Sequence, residues 1–397
     1  MPYPLTITAS AMRDINRSAI LEIIRRESPI SRTMIARRLD VSLPTVMRIV
    51  DELIEEGFVR AHSGSEWSGG RRRSLLEFNA ESYVVLGVDM GGTKMYGAIA
   101  DLGGKILEEV NISRHGTQGE ESFATLVNLI DTLLASSKLS GQRVRGIGVG
   151  APGVTLHQEG IVQWAFTLGW KDFPLKARLA ERYSLPIIVD NDVNLAALGE
   201  LWFGSGQNTQ NMILVAIGTG IGAGIIIDGA LYRGANEASG EIGNLIPSRD
   251  FLGKNYQDFG ALEKVASGTG IAERARIVMK SMPDRDGADH LTAEDVFDAA
   301  RTGQKWAWAI IDETVDYLAI AIANLTVSFD PDLIVLGGGV SRSADMLIEP
   351  ILRRIDGTIP RIPKLVASSL GLRATVMGAI TNVLHNTANF YVVHKLS

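Results

Sequence analysis

Apolar residues recur at three- to four-residue spacing in three stretches of the first 60 residues, which predicts three amphipathic helices. Ser28-Pro29 ends the first helix. Ser31 and Ser42 cap the second and third helices, and a turn at Asp40 separates them. The apolar residues that we expect to be buried are Ile15, Ala19, Ile20, Ile23 and Ile24, then Met34, Ile35 and Leu39, and then Val46, Ile49, Val50, Leu53 and Ile54. The pattern predicts a helix-turn-helix unit.

Two short strands are predicted after these helices, at 58–60 and 75–78, and a polar loop that contains SGGRRR separates them. Three helices followed by a β-hairpin describe a winged helix-turn-helix, whose third helix enters the DNA major groove by its N-terminal residues. Wing arginines can neutralise phosphates or enter a narrow minor groove. The alternative is a helical module used only for dimerisation or capping. The predicted DNA contacts are Ser42, Pro44, Thr45 and Arg48 in the third helix and Arg71 and Arg72 in the wing.

The charge distribution supports DNA binding at this end of the chain. Residues 1–80 hold 12 Arg, no Lys and 10 acidic residues, a net charge of +2. Because the whole chain carries −6, the remainder carries −8. Such an asymmetry is typical of nucleic-acid contact. Arginines clustered at the start of the third helix and in the wing favour DNA binding over the dimerisation module.

The 397-residue chain has no cysteine, which excludes disulfides, thiolate nucleophiles and thiolate zinc sites and favours a reducing cytoplasm. Its six histidines have no metal-ligand spacing. The sequence contains no apolar run of about 18 residues, and its N-terminus lacks the pattern of a secretory signal. We therefore expect a cytoplasmic protein of two or three domains without a membrane partner.

Beyond residue 80, two segments share one plan of strand, Gly-rich turn and strand: YVVLGVDMGGTKMYGAIADLGGKILEE (83–109) and NMILVAIGTGIGAGIIIDGALYRG (211–234). Neither has the helix that follows a dinucleotide-binding G-x-G-x-x-G, so a Rossmann interpretation fails. Backbone N–H groups in such turns suit a phosphate oxygen or a metal-bound water. A third glycine turn lies in DLIVLGGGVS (332–341). Together the three turns predict a duplicated, two-lobed α/β fold that holds a nucleotide between its lobes.

These motifs resemble those of the repressor, open-reading-frame and kinase (ROK) family over residues 11–385. ISRTMIARRLDVSLPTVMRIVDELIEEGFV and SGGRR are similar to the family's repressor heads. DMGGTK, GAPGV, LGW, NDVNLAALGE, GTGIGAGI, GEIG, LEKVASG and FDPDLIVLGGGV follow in the family's order. The resemblance implies an α/β protein. A winged helix-turn-helix at 1–80 would precede a two-lobed, actin-like (ribonuclease-H-type) sugar kinase fold with lobes at 81–200 and 201–397.

The resemblance also implies a site for ATP with Mg²⁺. Its residues would be Asp89, Gly91, Gly92, Thr93 and Lys94 near the transferred phosphate, Gly218, Thr219, Gly220 and Gly222 near the other phosphates, and Gly337, Gly338 and Gly339 beside adenosine. Asp192 matches the family's catalytic aspartate. A carboxylate that accepts the proton of the attacking hydroxyl is the main residue that phosphoryl transfer requires. The alternatives for Asp192 are a helix N-cap and a sugar-binding carboxylate without turnover.

The sugar site departs from the family pattern at two positions. Thr167 stands where the family has an asparagine before LGW, and Asn244 stands where it has a histidine after GEIG. The cysteine trio that follows in the family is also absent, which excludes its structural zinc. We expect packing of Phe251, Tyr256 and Phe259, with ion pairs, to hold that loop instead. The implied sugar-binding residues are Thr167, Asn191, Asp192, Asn194, Glu241, Asn244 and Glu263.

The sequence therefore predicts a sugar-responsive repressor of carbohydrate-metabolism genes, whose kinase-like body binds a sugar effector and alters the affinity of the head for operator DNA. We expect a homodimer or higher homo-oligomer, because helix-turn-helix half-sites lie roughly 34–36 Å apart. One alternative is an ATP-dependent sugar kinase that carries a DNA-binding head. The other is an ATP-binding regulator without turnover. The identity of the sugar stays open.

Overall fold

The N-terminal part of the chain folds as three helices and a small sheet, which together we call the head. The computed structural model describes residues 9–62, 66–68, 71–114, 116–136, 139, 143–256, 260–282 and 288–387. The elements of the head are α1 Ala9–Glu27, β1 Ile30–Ser31, α2 Arg32–Leu39, α3 Leu43–Glu55, β2 Val59–Ala61, β3 Glu66–Ser68, β4 Arg71–Arg73 and β5 Leu75–Phe78. β5 pairs antiparallel with β1 and β2. The predicted winged helix-turn-helix is confirmed.

Serine side chains fix the starts of α2 and α3 as expected. The hydroxyl of Ser31 accepts a hydrogen bond from the backbone N–H of Met34, and that of Ser42 accepts one from Thr45, each at 3.3 Å. Between the two helices, Asp40 adopts a left-handed conformation with φ 52°. A short polar residue tolerates this conformation, which reverses the chain within one residue.

Some details of the head were predicted wrongly. Met34 and Ile54, which we expected to be buried, are 47% and 37% exposed. Each lies next to a fully buried neighbour and therefore points about 100° further round its helix. The expected wing loop also contains a second hairpin, in which β3 pairs with β4 and Trp67 lies opposite Arg72.

The first lobe contains a five-stranded mixed sheet with the order β13-β9-β6-β7-β8 and a separate sheet β10-β11-β12. Its elements are β6 Tyr83–Met90, β7 Lys94–Asp101, β8 Ile106–Ser113, α4 Gly119–Leu134, β9 Arg143–Ala151, β10 Val154–Leu156, β11 Ile161–Ala165, β12 Trp170–Phe173, α5 Leu175–Ala180, β13 Ile187–Asn191 and α6 Asp192–Phe203. β6 and β7 form the predicted antiparallel hairpin. β9 runs parallel to both β6 and β13.

The second lobe repeats this plan with a sheet of order β16-β15-β14-β17-β18. Its elements are β14 Met212–Ile217, β15 Ile221–Ile227, β16 Ala230–Leu231, α7 Glu263–Ala266, α8 Gly268–Lys280, α9 Ala293–Arg301, α10 Lys305–Phe329, β17 Leu333–Gly337, α11 Ile348–Ile355, β18 Leu365–Ala367 and α12 Ala374–Thr387. β14 and β15 form the second predicted hairpin, and β17 runs parallel to β14. Short 3₁₀ helices lie at Ala80–Ser82, Phe166–Leu168, Ile242–Asn244, Arg249–Phe251, Ala288–His290, Gly339–Met346 and Gly371–Arg373.

The last helix, α12, returns to the first lobe and packs against α6, β6 and β9. A Cβ atom on Gly378 of α12 would lie 1.7 Å from the carbonyl oxygen of Leu195. A Cβ atom on Gly199 of α6 would lie 2.1 Å from the carbonyl oxygen of Ala374. The two glycines therefore bring the backbones of α6 and α12 into direct contact. The lobe boundaries near residues 80 and 200 stay predictions.

The head and the body share one hydrophobic core. This cluster joins Ile20, Leu21 and Ile24 of α1 to Leu102 after β7 and to Met377, Ile380 and Val383 of α12. On another side of the junction, the guanidinium of Arg145 lies 5.5 Å from the ring centre of Phe58 and 5.3 Å from that of Tyr83. The head is thus docked on the body through apolar packing and cation–π contacts.

Within the described residues, no helix combines the length and the apolar character needed to cross a bilayer.

Candidate functional site

The glycine turns of the two predicted hairpins meet between the lobes. Gly92 lies between β6 and β7, and Thr219 lies between β14 and β15. A Cβ atom on Gly92 would come within 2.7 Å of the hydroxyl oxygen of Thr219. The structure therefore brings together the two turns in which the sequence places the phosphate-binding residues.

The glycines of these turns divide into two groups. A Cβ atom on Gly338, whose φ is 78°, would lie 2.4 Å from the carbonyl oxygen of Ile217, so the fold requires glycine there. A Cβ atom on Gly220 would lie 2.3 Å from the carboxylate of Glu263, so that side chain would have to move. A Cβ atom on Gly218 or Gly339 would meet no atom within 4 Å, and neither residue has a positive φ. Because the fold does not require glycine at those two positions, the open space beside them suits the close approach of a ligand.

The other predicted glycines of the site are packed to different degrees. A Cβ atom on Gly91 would lie 2.8 Å from the carbonyl oxygen of Lys94, and one on Gly222 would lie 3.0 Å from Val193. Gly337 ends β17, and a Cβ there would be in ordinary contact at 3.6 Å. Gly91 therefore has little room for a side chain within the first turn, whereas Gly222 and Gly337 lie in strands β15 and β17 beside the other two turns.

Partly buried carboxyl groups lie beside the first turn. Burial raises the pKa of Asp89, on β6, to about 7, although Lys94 opposes the shift. Burial also raises the pKa of Asp192 well above its usual range, and the Asp89 carboxylate adds to that shift. The pKa of Glu241 is raised by burial and by the negative charge of Glu263. Carboxyl groups that share a poorly hydrated site in this way are typical of ligand-binding and catalytic centres.

The start of α6 places Asp192 in this cluster. Asn191 is the N-cap of the helix, since its side-chain oxygen accepts the backbone N–H of Asn194 at 2.9 Å. The amide nitrogen of Asn191 donates to the carbonyl oxygen of Gly153 at 3.0 Å. Asp192 is therefore not the N-cap of α6, and that alternative is wrong. Both polar atoms of the Asn191 side chain bind backbone groups of the protein. The Asp192 carboxylate itself accepts the N–H of Val193 at 2.8 Å.

The remaining residues predicted to bind sugar differ in whether their side chains already have hydrogen-bond partners in the protein. Glu263 accepts the backbone N–H groups of Ile221 and Gly260, at 2.7 and 2.9 Å, and so braces the second turn. The amide nitrogen of Asn244 makes a long contact of 3.4 Å with the carbonyl oxygen of Glu241, the residue before its 3₁₀ helix. The Thr167 hydroxyl is buried and has no hydrogen-bond partner among the described residues. A buried orphan hydroxyl of this kind suits a ligand that supplies the missing partner.

A link between the lobes was not predicted. Asp190 at the end of β13 is fully buried and accepts two hydrogen bonds from the guanidinium of Arg233, at 2.8 and 2.7 Å. Asn382 of α12 donates to the same carboxylate at 3.0 Å. Nearby, His157 of the first lobe contacts Glu237 of the second at 2.8 Å. The sequence shows Asp190 only as a polar residue after an apolar strand, and its partner lies 43 positions away.

Aromatic packing supports the loop that follows GEIG. The rings of Phe251 and Tyr256 stack at 6.4 Å, Tyr317 contacts Phe251 edge-on at 5.9 Å, and Lys254 lies 5.5 Å above the Phe251 ring. Phe259, part of the same prediction, lies outside the described residues. In the described ranges, no group of three His, Cys, Asp or Glu side chains is placed to hold a metal ion.

The residues predicted to contact DNA in the head lie at the start of α3. Ser42, Pro44 and Arg48 are exposed there, and Thr45 is half-buried. Leu43 and Met47 are 39% and 47% exposed on the same helix. The sequence did not indicate these two residues as part of the surface. In the wing, Arg71 and Arg72 lie on β4 opposite Ser68 and Trp67, and their side chains lie outside the part that the structure describes.

The class of protein follows from this arrangement: a winged helix-turn-helix head is docked on a two-lobed, actin-like sugar kinase fold, as in transcription regulators. The ROK family model matches residues 85–385, and a winged helix-turn-helix DNA-binding model matches residues 13–60. The chain belongs to the ROK family.

Individual relatives include both regulators and kinases. The chain is 30% identical to the xylose repressor of Caldicellulosiruptor bescii over 397 residues, which cover 96% of this chain and 98% of the repressor. It is 38% identical to the glucokinase of Halalkalibacterium halodurans over 309 residues, 74% of this chain and 92% of the kinase. The crystal structure of a ROK family transcriptional regulator, a homologue of the E. coli MLC protein, matches with a TM-score of 0.83 and 26% identity, covering 96% of this chain and 98% of that one. The chain is a ROK family transcriptional regulator with a DNA-binding head and is similar to xylose repressors.

Proposed function

We propose that this protein is a repressor of carbohydrate-metabolism genes and that a sugar bound in the body changes the affinity of the head for operator DNA. One observation carries the proposal: a single helix, α6, begins at Asp192 in the candidate sugar site and ends against the head. The guanidinium of Arg25 on α1 lies 4.7 Å above the ring of Trp202 near the end of α6. Twelve residues of α-helix span about 18 Å. A displacement of Asp192 by a ligand therefore reaches the head through one rigid element.

The proposed effector is an aldose that the carboxyl groups of Asp192 and Glu241 and the hydroxyl of Thr167 bind through its hydroxyl groups. Asn194 and Asn244 would complete the contacts, while Asn191 and Glu263 hold the surrounding backbone. Carboxylate oxygens accept hydrogen bonds from sugar hydroxyls, and the orphan Thr167 hydroxyl can both donate and accept. The similarity to a xylose repressor and to a glucokinase supports a pentose or a hexose.

We also propose that the facing turns bind ATP with Mg²⁺. The open space beside Gly218 and Gly339 supports close approach of phosphates and adenosine to the backbone. Mg²⁺ in proteins is usually held by one or two carboxylates together with substrate phosphates and waters, and the carboxylate of Asp89 fits that donor set. The ion would neutralise the negative charge of the phosphates beside the carboxyl groups of Asp89 and Asp192. Thr93, Lys94 and Thr219 lie in or beside the same two turns.

On DNA, the proposed assembly is a homodimer in which each α3 reads one half-site. Thr45 and Arg48 would read base edges, and Arg71 and Arg72 would contact phosphates. Exposed Met47 would pack against thymine methyl groups in the major groove. A coupling free energy of about 1–3 kcal/mol between sugar and DNA would change the DNA affinity by roughly 5- to 150-fold.

The test uses fluorescence anisotropy of duplex DNA from the region upstream of the protein's own gene. The protein is titrated onto this DNA with and without D-xylose and D-glucose. We expect one of the sugars to shift the apparent Kd about fivefold or more. The variant Trp202→Leu keeps an apolar residue at the end of α6, so it should still bind DNA. It loses the contact with Arg25, so its DNA affinity should respond less to the sugar. Absence of DNA binding with and without either sugar would contradict the proposal.

A second candidate function, an ATP-dependent sugar kinase, is favoured by Asp192. Its carboxyl group is partly buried near Asp89, and burial raises its pKa, which is the direction in which enzymes tune a catalytic carboxyl group. ADP release should be measured over hexoses, N-acetylhexosamines and pentoses. Turnover that Asp192→Ala abolishes would support this function, and turnover that survives the substitution would refute the role of Asp192. Nucleotide binding without product would support a regulator without turnover.

A further inference from the structure

Arg114, the residue that follows β8, is fully buried and binds backbone carbonyl groups from three separate segments. Its side chain is 1% exposed. One terminal nitrogen donates to the carbonyl oxygen of Gly91 at 2.9 Å. The other donates to Thr117 at 2.8 Å and to Thr167 at 2.7 Å. One guanidinium group therefore ties together three chain segments that are distant in sequence.

Two of these segments belong to the turns in which the proposed function places the nucleotide and the sugar. Gly91 belongs to the turn between β6 and β7, and Thr167 belongs to the turn between β11 and β12 that precedes LGW. The backbone N–H of Arg114 also donates to the carbonyl oxygen of Thr93, at 2.9 Å. Arg114 thus holds the phosphate turn at two carbonyl groups and the sugar turn at one.

The guanidinium carries a charge that no carboxylate neutralises within the described residues. Burial lowers the pKa of Arg114, and no acidic side chain counteracts the shift. An arginine remains protonated in proteins, so this is a buried cation solvated by carbonyl dipoles. Burial of an unpaired ion is strongly unfavourable. Neutral residues could fill the same volume at lower cost, so structural filling alone does not account for arginine here.

The contact with Thr167 also bears on the ligand. The carbonyl of Thr167 is fixed by Arg114, while its hydroxyl is buried without a partner among the described residues. A fixed carbonyl sets the backbone from which that hydroxyl projects. Any movement of the sugar turn on ligand binding therefore pulls on the guanidinium and, through it, on the carbonyl of Gly91.

We propose that Arg114 is a positioning residue that makes the sugar turn and the phosphate turn move as one unit, so that a bound sugar raises the affinity for the nucleotide. The proposal rests on the proposed function, since it needs a sugar and a nucleotide in the same body. It predicts that coupling between the two ligands depends on the fork geometry of arginine at this position. Lysine, a point charge without that fork, cannot reproduce the planar set of hydrogen bonds.

The test measures nucleotide affinity by calorimetry with a non-hydrolysable ATP analogue and Mg²⁺, with and without saturating D-xylose or D-glucose. We expect a sugar to tighten nucleotide binding about fivefold or more in the parent protein. In Arg114→Lys and Arg114→Met, the sugar should change the nucleotide affinity by less than about twofold. Arg178→Met is the matched control. Arg178 binds Glu120 at the start of α4, near Thr117, and among the described residues it has no hydrogen bond to either turn, so full coupling should remain.

Thermal unfolding of each variant separates coupling from folding. If Arg114→Met does not fold, Arg114→Lys alone decides, because it keeps the charge and three donors. Full coupling in a folded Arg114 variant would overturn the proposal. A parent protein that binds both ligands without coupling, or that binds the sugar but no nucleotide, would also overturn it but would leave sugar-responsive DNA binding standing. A parent protein that binds no sugar in any assay would overturn the proposed function itself.

Discussion

Gly218→Ala is expected to leave the fold intact and to weaken nucleotide binding. A Cβ atom at Gly218 would meet no protein atom within 4 Å, and the residue is not among those with a positive φ. Alanine at a compatible glycine position stabilises a protein by about 0.4–1 kcal/mol, because it restricts the unfolded chain. The free energy of unfolding should therefore stay constant or rise slightly.

The effect on the nucleotide has the opposite sign. If a phosphate approaches the backbone of Gly218, the added methyl group occupies space that the ligand needs. Inserting a methyl group into a filled contact costs about 1–3 kcal/mol. At about 1.4 kcal/mol per factor of ten, this corresponds to a loss of roughly 5- to 150-fold in affinity. The same reasoning applies to Gly339→Ala at the third turn.

The assay combines urea unfolding with titration of a non-hydrolysable ATP analogue in the presence of Mg²⁺. Gly303→Ala serves as a control for the stability measurement. It also has open space around its Cβ, but its φ of 85° is unfavourable for alanine, so it should lose stability without losing nucleotide affinity. The reasoning is refuted if Gly218→Ala and Gly339→Ala both fold and bind the analogue as tightly as the parent protein.

Other predictions concern DNA binding and stability. Replacing Arg71 and Arg72 with Ala should reduce the slope of log affinity against log salt by roughly 0.9 per lost phosphate contact, and an unchanged slope means that the wing does not touch phosphate. Gly378→Ala should destabilise the protein by about 1–3 kcal/mol in urea unfolding, because the new methyl group collides with backbone; wild-type stability would contradict the α6–α12 contact. Burial lowers the pKa of His385 to about 4, so stability should be complete above pH 6.5 and decline as pH falls towards 4. His385→Phe should reduce this decline in thermal unfolding, and an identical pH profile would contradict the burial of a neutral imidazole.

Local signals explain the elements that could be predicted from sequence. Ser31 and Ser42 precede apolar helical patterns, and capping depends on neighbours within three residues. The hairpins β6–β7 and β14–β15 combine apolar strands with glycine turns, which also act over a few residues. The same local signals explain why both glycine turns could be recognised as candidate phosphate sites.

Contacts between distant segments could not be predicted in this way. Asp190 and Arg233 form a buried pair across the lobes, but neither residue has a local feature that identifies the other. In the sequence, Arg114 is an ordinary polar residue after a strand. Only the folded structure brings Gly91 and Thr167 to its guanidinium. The exposure of Met34 also depends on which helix face the rest of the head covers. Side-chain partners of this kind are set by tertiary packing, which spacing along one sequence does not encode.

The shared core of head and body has a practical consequence for dissecting this protein. A fragment that starts after residue 80 would uncover Leu102, Met377, Ile380 and Val383, which the intact chain keeps out of water. Truncation would thus expose an apolar surface patch and promote aggregation. A shortened enzyme-like version would need polar replacements at these four positions. Acquisition or loss of the head during evolution would require matching substitutions on the surface of the body that the head covers. Fusion or deletion of the head alone would not be sufficient.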